Sequence, residues 1–138
     1  MHLGFTGSRQ GLTPAQQAVI IAILTDLAPT TLHHGDCTGA DAAVHAIAVN
    51  LGIAVVIHPP TNSRLRAYCA APDVLPPQPY LVRNAAIVAA TAALLAAPNG
   101  PRRPRSGTWF TVGKALAQGK RVIVVLLNGL RVETAADP

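Results

Sequence analysis

Seven of the eleven basic side chains, Arg9, Arg64, Arg66, Arg83, Arg102, Arg103 and Arg105, fall in segments that follow strand-like runs or open helix-like ones. Guanidinium groups beside glycine-containing helix starts suit an anion, because unpaired helix-terminal amides and a forked cation both donate to phosphate oxygens. Three such turns stand out. Gly7-Ser8-Arg9 combines close backbone approach, a hydroxyl and a cation. Gly35 and Gly39 flank Asp36, with Asp41 in the first helical turn that follows. Ser106-Gly107-Thr108 offers a hydroxyl cap, a position without a side chain and free amides, with Trp109 beside it. Each also has a plain reading: Ser106 as an N-cap, Gly7 as a tight turn, Asp41 as a helix-dipole partner. Gathered on one sheet edge, they point to a phosphate-bearing ligand.

Other chemistry is thinly supplied. Of six acidic residues, only Asp36 and Asp41 lie near these turns. An aspartate there can meet ribose hydroxyls, cap its helix, or act as a general base or oxocarbenium stabiliser. His33 and His34 are neighbours on a strand, so they face opposite ways and cannot jointly hold a metal. His45, one turn after Asp41, is placed to pair with it, and His58 ends a strand. Cys37 and Cys69 have no metal-ligand spacing. Cys37 reads as a reactive thiol or as a small residue chosen for fit, and Trp109 as core or as a stacking surface for a base. Neither a metal site nor a cofactor is expected. The chain lacks G-x-x-x-x-G-K-[ST] and G-x-G-x-x-G, so neither a P-loop NTPase nor an ordinary dinucleotide site is indicated.

Five strand–loop–helix units position these turns. Residues 2–6 form a first strand, and Thr13 caps a helix with Pro14 at its first position and Gln16 completing a capping box. Ile20, Ile23, Leu24 and Leu27 make its buried stripe. A strand at 31–34 precedes a helix with Val44, Ile47, Ala48 and Leu51 facing inward. The apolar run 53–58 is a third strand buried on both faces. Residues 59–79 hold six prolines and carry Arg64, Arg66 and Tyr68; this stretch is expected to be a flap over the crevice. A third helix spans 80–91, with Leu81, Ile87 and Val88 inward and Arg83-Asn84 near its start. The fourth strand is 92–97 and the basic loop 98–105. Ser106 then caps a helix carrying Trp109, Val112 and Leu116, and residues 122–127 form the fifth strand. The resulting expectation is an α/β, Rossmann-like three-layer sandwich with a mostly parallel five-stranded sheet. A single domain covers 1–128, with a tail at 129–138 that holds one short strand near 130–133 and then frays.

Composition narrows the class further. At 138 residues, half apolar and 12% charged, the chain can build one core and is not disordered. No apolar run is long enough to span a bilayer, and the start lacks a signal-peptide pattern, so a cytoplasmic protein without membrane contact is expected. A net charge of +5 suits a phosphorylated small molecule or a nucleic acid. An aromatic content of 4% disfavours nucleic acid, which wants rings interleaved with basic residues.

The quoted turns, together with Tyr80-Leu81-Val82-Arg83-Asn84, resemble the SLOG superfamily over about residues 2–127. That group joins DNA-processing DprA/Smf proteins with LOG "lysine decarboxylase-like" phosphoribohydrolases, and the nearest branch is the small stand-alone YspA/YpsA-related proteins. The resemblance implies a Rossmann-like sheet, a nucleotide-type ligand and a homo-oligomer, dimer or larger. LOG-type enzymes cleave the N-glycosidic bond of nucleoside monophosphates with an arginine at a helix start, which Arg83 matches, and a glutamate in PGGxGTxxE. Here Gly107-Thr108 is kept, the glutamate position falls on Thr111, and Pro104-Arg105-Ser106 replaces the preceding glycines. Without that carboxylate, transition-state stabilisation is lost unless Asp36 or Asp41 substitutes. The leading expectation is therefore a protein that senses, carries or sequesters a nucleotide or an ADP-ribose derivative. Gly7, Ser8, Gly107 and Thr108 would hold phosphates and Arg9, Arg83 and Arg105 would neutralise them. Asp36 or Asp41 would meet the ribose, and Trp109 or Tyr80 would border the base. The alternatives are a nucleotide N-glycosidase using Arg83 with Asp36 or Asp41, and single-stranded DNA binding through Arg102, Arg103 and Arg105.

Overall fold

Strands and helices alternate through the computed structural model, which describes residues 1–134. The strands are β1 (His2–Gly7), β2 (Thr31–His34), β3 (Ala54–Ile57), β4 (Asp73–Val74), β5 (Ala93–Ala97), β6 (Arg121–Val125) and β7 (Arg131–Thr134). They form one sheet in the order β4-β3-β2-β1-β5-β6-β7, parallel throughout except for the antiparallel β6–β7 pair. Among the described residues, seven strands replace the five expected. The two extra strands are edges: β4 is two residues inside the proline-rich segment, too short to show a period. Part of the predicted tail, 131–134, is edge strand β7 and belongs to the sheet. The predicted fraying falls on 135–138, outside the described residues.

Helices α1 (Pro14–Leu27) and α2 (Ala40–Asn50) cover one face; α3 (Tyr80–Ala90) and α4 (Gly107–Ala117) pack against β1, β5 and β6 on the other. Leu3, Phe5, Leu32, Leu95 and Ile123 meet Ile20, Ile23, Leu24 and Val44 beneath the first pair. Leu94, Val122 and Val124 meet Val88, Val112 and Ala115 beneath the second. Burial of these side chains, each contributing roughly 1.5–3 kcal/mol, is the main favourable term. The third strand is not buried on both faces: Ala54 is exposed and Val56 half-exposed. Leu51, Leu81 and Leu116, expected inward, are also exposed. For Leu81 the reason is that the first turn of α3 buries Arg83 and Asn84 instead.

The capping box forms as the sequence predicts. The Thr13 hydroxyl accepts from the Gln16 amide at 3.1 Å, and Gln16 Oε1 accepts from the Thr13 amide at 3.0 Å. Buried Gln16 does more: its Nε2 donates to the carbonyls of Pro98 and Val125, both at 3.0 Å. One side chain thus ties α1 to the segments leaving β5 and β6. No helix among the described residues is long and apolar enough to cross a membrane.

Candidate functional site

The strand order reverses between β1 and β5, and at such a switch point the segments leaving the two strands part and open a crevice. A cavity of about 300 Å³ lies there, at the small end of ligand sites. Its lining comes from the segments after β1, β2 and β5 and from the first turns of α3 and α4. Of the predicted site residues, Gly7, Ser8, Arg9, Gly35, Asp41, Arg83, Asn84, Ser106, Gly107, Thr108 and Trp109 line it; Asp36 and Gly39 do not. Of the seven arginines singled out, Arg9, Arg83, Arg103 and Arg105 line it. Arg64 is exposed elsewhere, Arg66 pairs with Asp36, and Arg102 stacks 5.4 Å from the Trp109 ring centroid.

The turn after β2 is built by close approach. Gly39 holds φ +95°, and a Cβ there would collide with the Arg9 backbone. The Ala40 amide donates to the Ser8 carbonyl at 2.9 Å, which locks the first two turns together. Asp36 takes φ +54° and is fully buried. Its carboxylate accepts from Arg66 Nε at 3.0 Å and from the Cys69 amide at 2.9 Å. Further backbone bonds, Thr38 to Leu65 and Ala67 to Asp36, clamp residues 62–69 onto this turn. These bonds hold residues 62–69 of the proline-rich segment against the crevice, with Leu65 lining the cavity.

The histidines pair with each other. His34 Nδ1 accepts from the Asp36 amide at 2.9 Å, which places the ring proton on Nε2, donated to His45 Nδ1 at 2.9 Å. His45 is thus turned to His34, not to Asp41 as expected. His34, His45 and Cys69 bring ligating atoms within 4.8 Å, but this bonding leaves His34 no lone pair for a metal. On the opposite face His2, His33 and His58 form a chain of ring contacts at 2.8 and 2.9 Å. Burial lowers His34 to about 3 and His33 and His58 to about 4, with neighbouring imidazoles adding to each shift.

Arg83 is the floor of the cavity and only 5% exposed. Its Nε donates to Asn84 Oδ1 at 2.6 Å and its Nη1 to the carbonyls of Gly35 and His58. Among the described residues, Nη2 has only the Cys37 sulfur, at 3.5 Å. No carboxylate lies within ion-pair distance of Arg83 among the described residues. Asp41 is the cavity's one carboxylate, buried and accepting from the Cys37 amide at 3.1 Å. Burial pushes it up to about 6, against the pull of Arg83. Burial likewise pushes the Cys37 thiol up, so thiolate is scarce at neutral pH, which favours the plain reading of Cys37.

The turn before α4 is open. Ser106 caps the helix through the Trp109 amide at 3.3 Å, and the amides of Gly107 and Thr108 find no protein acceptor among the described residues. A Cβ on Gly107 would meet nothing nearer than Asn84 Nδ2 at 3.8 Å, so protein packing does not require glycine there. Trp109 packs on the core under α4, as one of its two predicted readings has it, and also lines the cavity, with Nε1 donating to the Gly100 carbonyl at 3.2 Å. Gln10 and Asn99 also line the cavity and bond to each other. They were missed, and no motif marks them beyond their places after β1 and β5.

No family model matches the chain, and no curated protein matches its sequence. Among solved structures, DNA processing protein A (DprA) from Streptococcus pneumoniae superposes with a TM-score of 0.68 at 21% identity. That match covers 89% of this chain and 49% of DprA, so the chain spans about half that protein's length. The protein TM1055 superposes with a TM-score of 0.64 at 17% identity over 88% of this chain and 71% of its own. With its mostly parallel sheet and helices on both faces, the chain shares the Rossmann-like fold of these two structures.

Proposed function

We propose that this protein binds a nucleotide or nucleotide-derived small molecule in the cavity between β1 and β5. The observation that carries the reading is Arg83. A buried guanidinium without a carboxylate partner is costly, and an anion entering the cavity removes that cost. The same lining supplies further donors: the Gly107 and Thr108 amides and Asn84 Nδ2, joined by three mouth arginines. This set fits a phosphate. Asp41 is placed for a ribose hydroxyl, and Trp109 and Tyr80 supply flat surfaces for a base. The same reading takes the protein as cytoplasmic and oligomeric, with exposed Tyr80, Leu81 and Val82 available to a second copy; light scattering on purified protein checks the latter.

Mass spectrometry of the small molecule that co-purifies tests the reading, backed by calorimetric titration with nucleoside monophosphates and diphosphates. A phosphate-free ligand, or no nucleotide binding at millimolar concentration, contradicts it. One observation favours a second reading, nucleotide N-glycoside hydrolysis. Asp36 is committed to Arg66 and Cys69, yet Asp41 stands in the cavity and titrates near neutrality, as a general acid or base does. Release of free base that stops in Asp41→Asn supports hydrolysis; ligand recovered intact excludes it.

A further inference from the structure

The four cavity arginines stand at two depths. Arg83 is at the floor, while Arg9, Arg103 and Arg105 are exposed at the mouth, and none has an ion-pair partner among the described residues. The mouth is shaped by the segment 99–105, which runs like a strap between the first turn and α4. Asn99 Nδ2 donates to Gln10 Oε1, Arg103 Nη1 donates to Asn99 Oδ1 at 3.3 Å, and Trp109 Nε1 holds the Gly100 carbonyl. Arg102 lies on Trp109, leaving Arg103 and Arg105 to the cavity.

Arg105 is the telling residue. It holds φ +61° immediately before the cap Ser106, a left-handed conformation that glycine adopts freely and an L side chain adopts at a cost. Strain of this kind persists where the surroundings enforce it, and it clusters at ligand clamps. Here it adds a guanidinium to the cavity wall at a backbone position suited to glycine. One phosphate seated at the α4 amides and Arg83 leaves the mouth arginines unanswered. We infer that the ligand carries a second phosphoryl group, as a nucleoside diphosphate does, and that Arg103 and Arg105 are the specificity-determining residues that hold it. This rests on the nucleotide reading above and extends it.

The test is titration calorimetry with the pairs AMP/ADP, GMP/GDP, CMP/CDP and UMP/UDP. For the base that binds, the diphosphate is expected to bind about tenfold tighter than the monophosphate. In the double variant Arg103→Ala/Arg105→Ala that ratio falls to about one, whatever happens to either affinity alone, whereas Arg64→Ala, an equivalent exposed arginine outside the cavity, keeps it. Arg105→Gly retains the backbone conformation, so it is expected to melt no lower than the parent while losing most of the preference. A monophosphate that binds as well as its diphosphate overturns the inference and leaves the nucleotide reading standing. Failure of all eight to bind overturns both. A preference unchanged in Arg105→Gly and in the double variant assigns Arg105 a backbone role only and sinks its proposed part.

Discussion

Two glycine-bearing turns border the same cavity and are built in opposite ways. In the turn after β2, polar groups answer one another: Asp36 holds Arg66 and Cys69, Asp41 holds the Cys37 amide, and Arg83 donates to Gly35. In the turn before α4, the amides of Gly107 and Thr108 and the room beside Gly107 are left open. A motif residue whose bonds are all spent within the protein is architecture, however suggestive its type. A donor without a protein partner beside a cavity is the better mark of a binding site. By that standard Asp36 supports the cavity from behind, while Arg83 and the α4 start face its interior.

The contrast can be broken most sharply at Asp36. Asp36→Asn leaves a partly buried Arg66 without its partner and should cost about 3–5 kcal/mol in denaturant unfolding. Nucleotide affinity of the folded fraction should move by less than about threefold, since the carboxylate does not line the cavity. Lost binding with unchanged stability would reverse the roles assigned to the two turns. Arg83→Met is expected to weaken nucleotide binding about 100-fold by calorimetry, with the fold retained by circular dichroism.

The histidine pairs give the closed side a pH signature. A base lowered in the folded state contributes stability above its unfolded value of about 6.5, and that contribution is lost as pH falls toward the folded value. His34 at about 3 and His33 and His58 at about 4 all act this way. Asp41, raised to about 6, acts oppositely, adding stability as pH falls from 6 toward 4. Three histidines outweigh one aspartate, so unfolding free energy should drop by roughly 4 kcal/mol between pH 7 and pH 5. A profile that is flat or rises on acidification would show that these imidazoles are not held neutral by burial in the folded protein.

The smallest effect separates the turns by sign. Gly107→Ala places a methyl in ordinary contact with Asn84 and Tyr80 on a helix and should raise stability by a few tenths to about 1 kcal/mol. The same methyl intrudes on the proposed phosphate seat and should weaken nucleotide binding. Equal or improved binding would remove Gly107 from the site.

The sequence made the strand–helix order and the three turns readable because hydrophobic runs and capping residues are local signals. Thr13, Gln16 and Ser106 cap helices as their spacing indicates. What it concealed depends on long-range register. Arg66 lies 30 residues from Asp36 in a proline-rich stretch with no periodicity, so its partner could not be read. His2, His33 and His58 meet only because parallel strands bring positions 31 and 25 residues apart onto one diagonal. Leu81 looked like core because a helical stripe does not reveal that one turn faces a cavity instead of the sheet.

The most direct measurement is a crystal structure grown with ADP and, separately, with the other diphosphates. The expected result is one phosphoryl group within hydrogen-bond distance of the Thr108 amide and the Arg83 guanidinium, with the second against Arg103 and Arg105. Ligand density on the histidine-bearing sheet face, or over residues 62–69 with the α4 start empty, would contradict the assignment of the cavity.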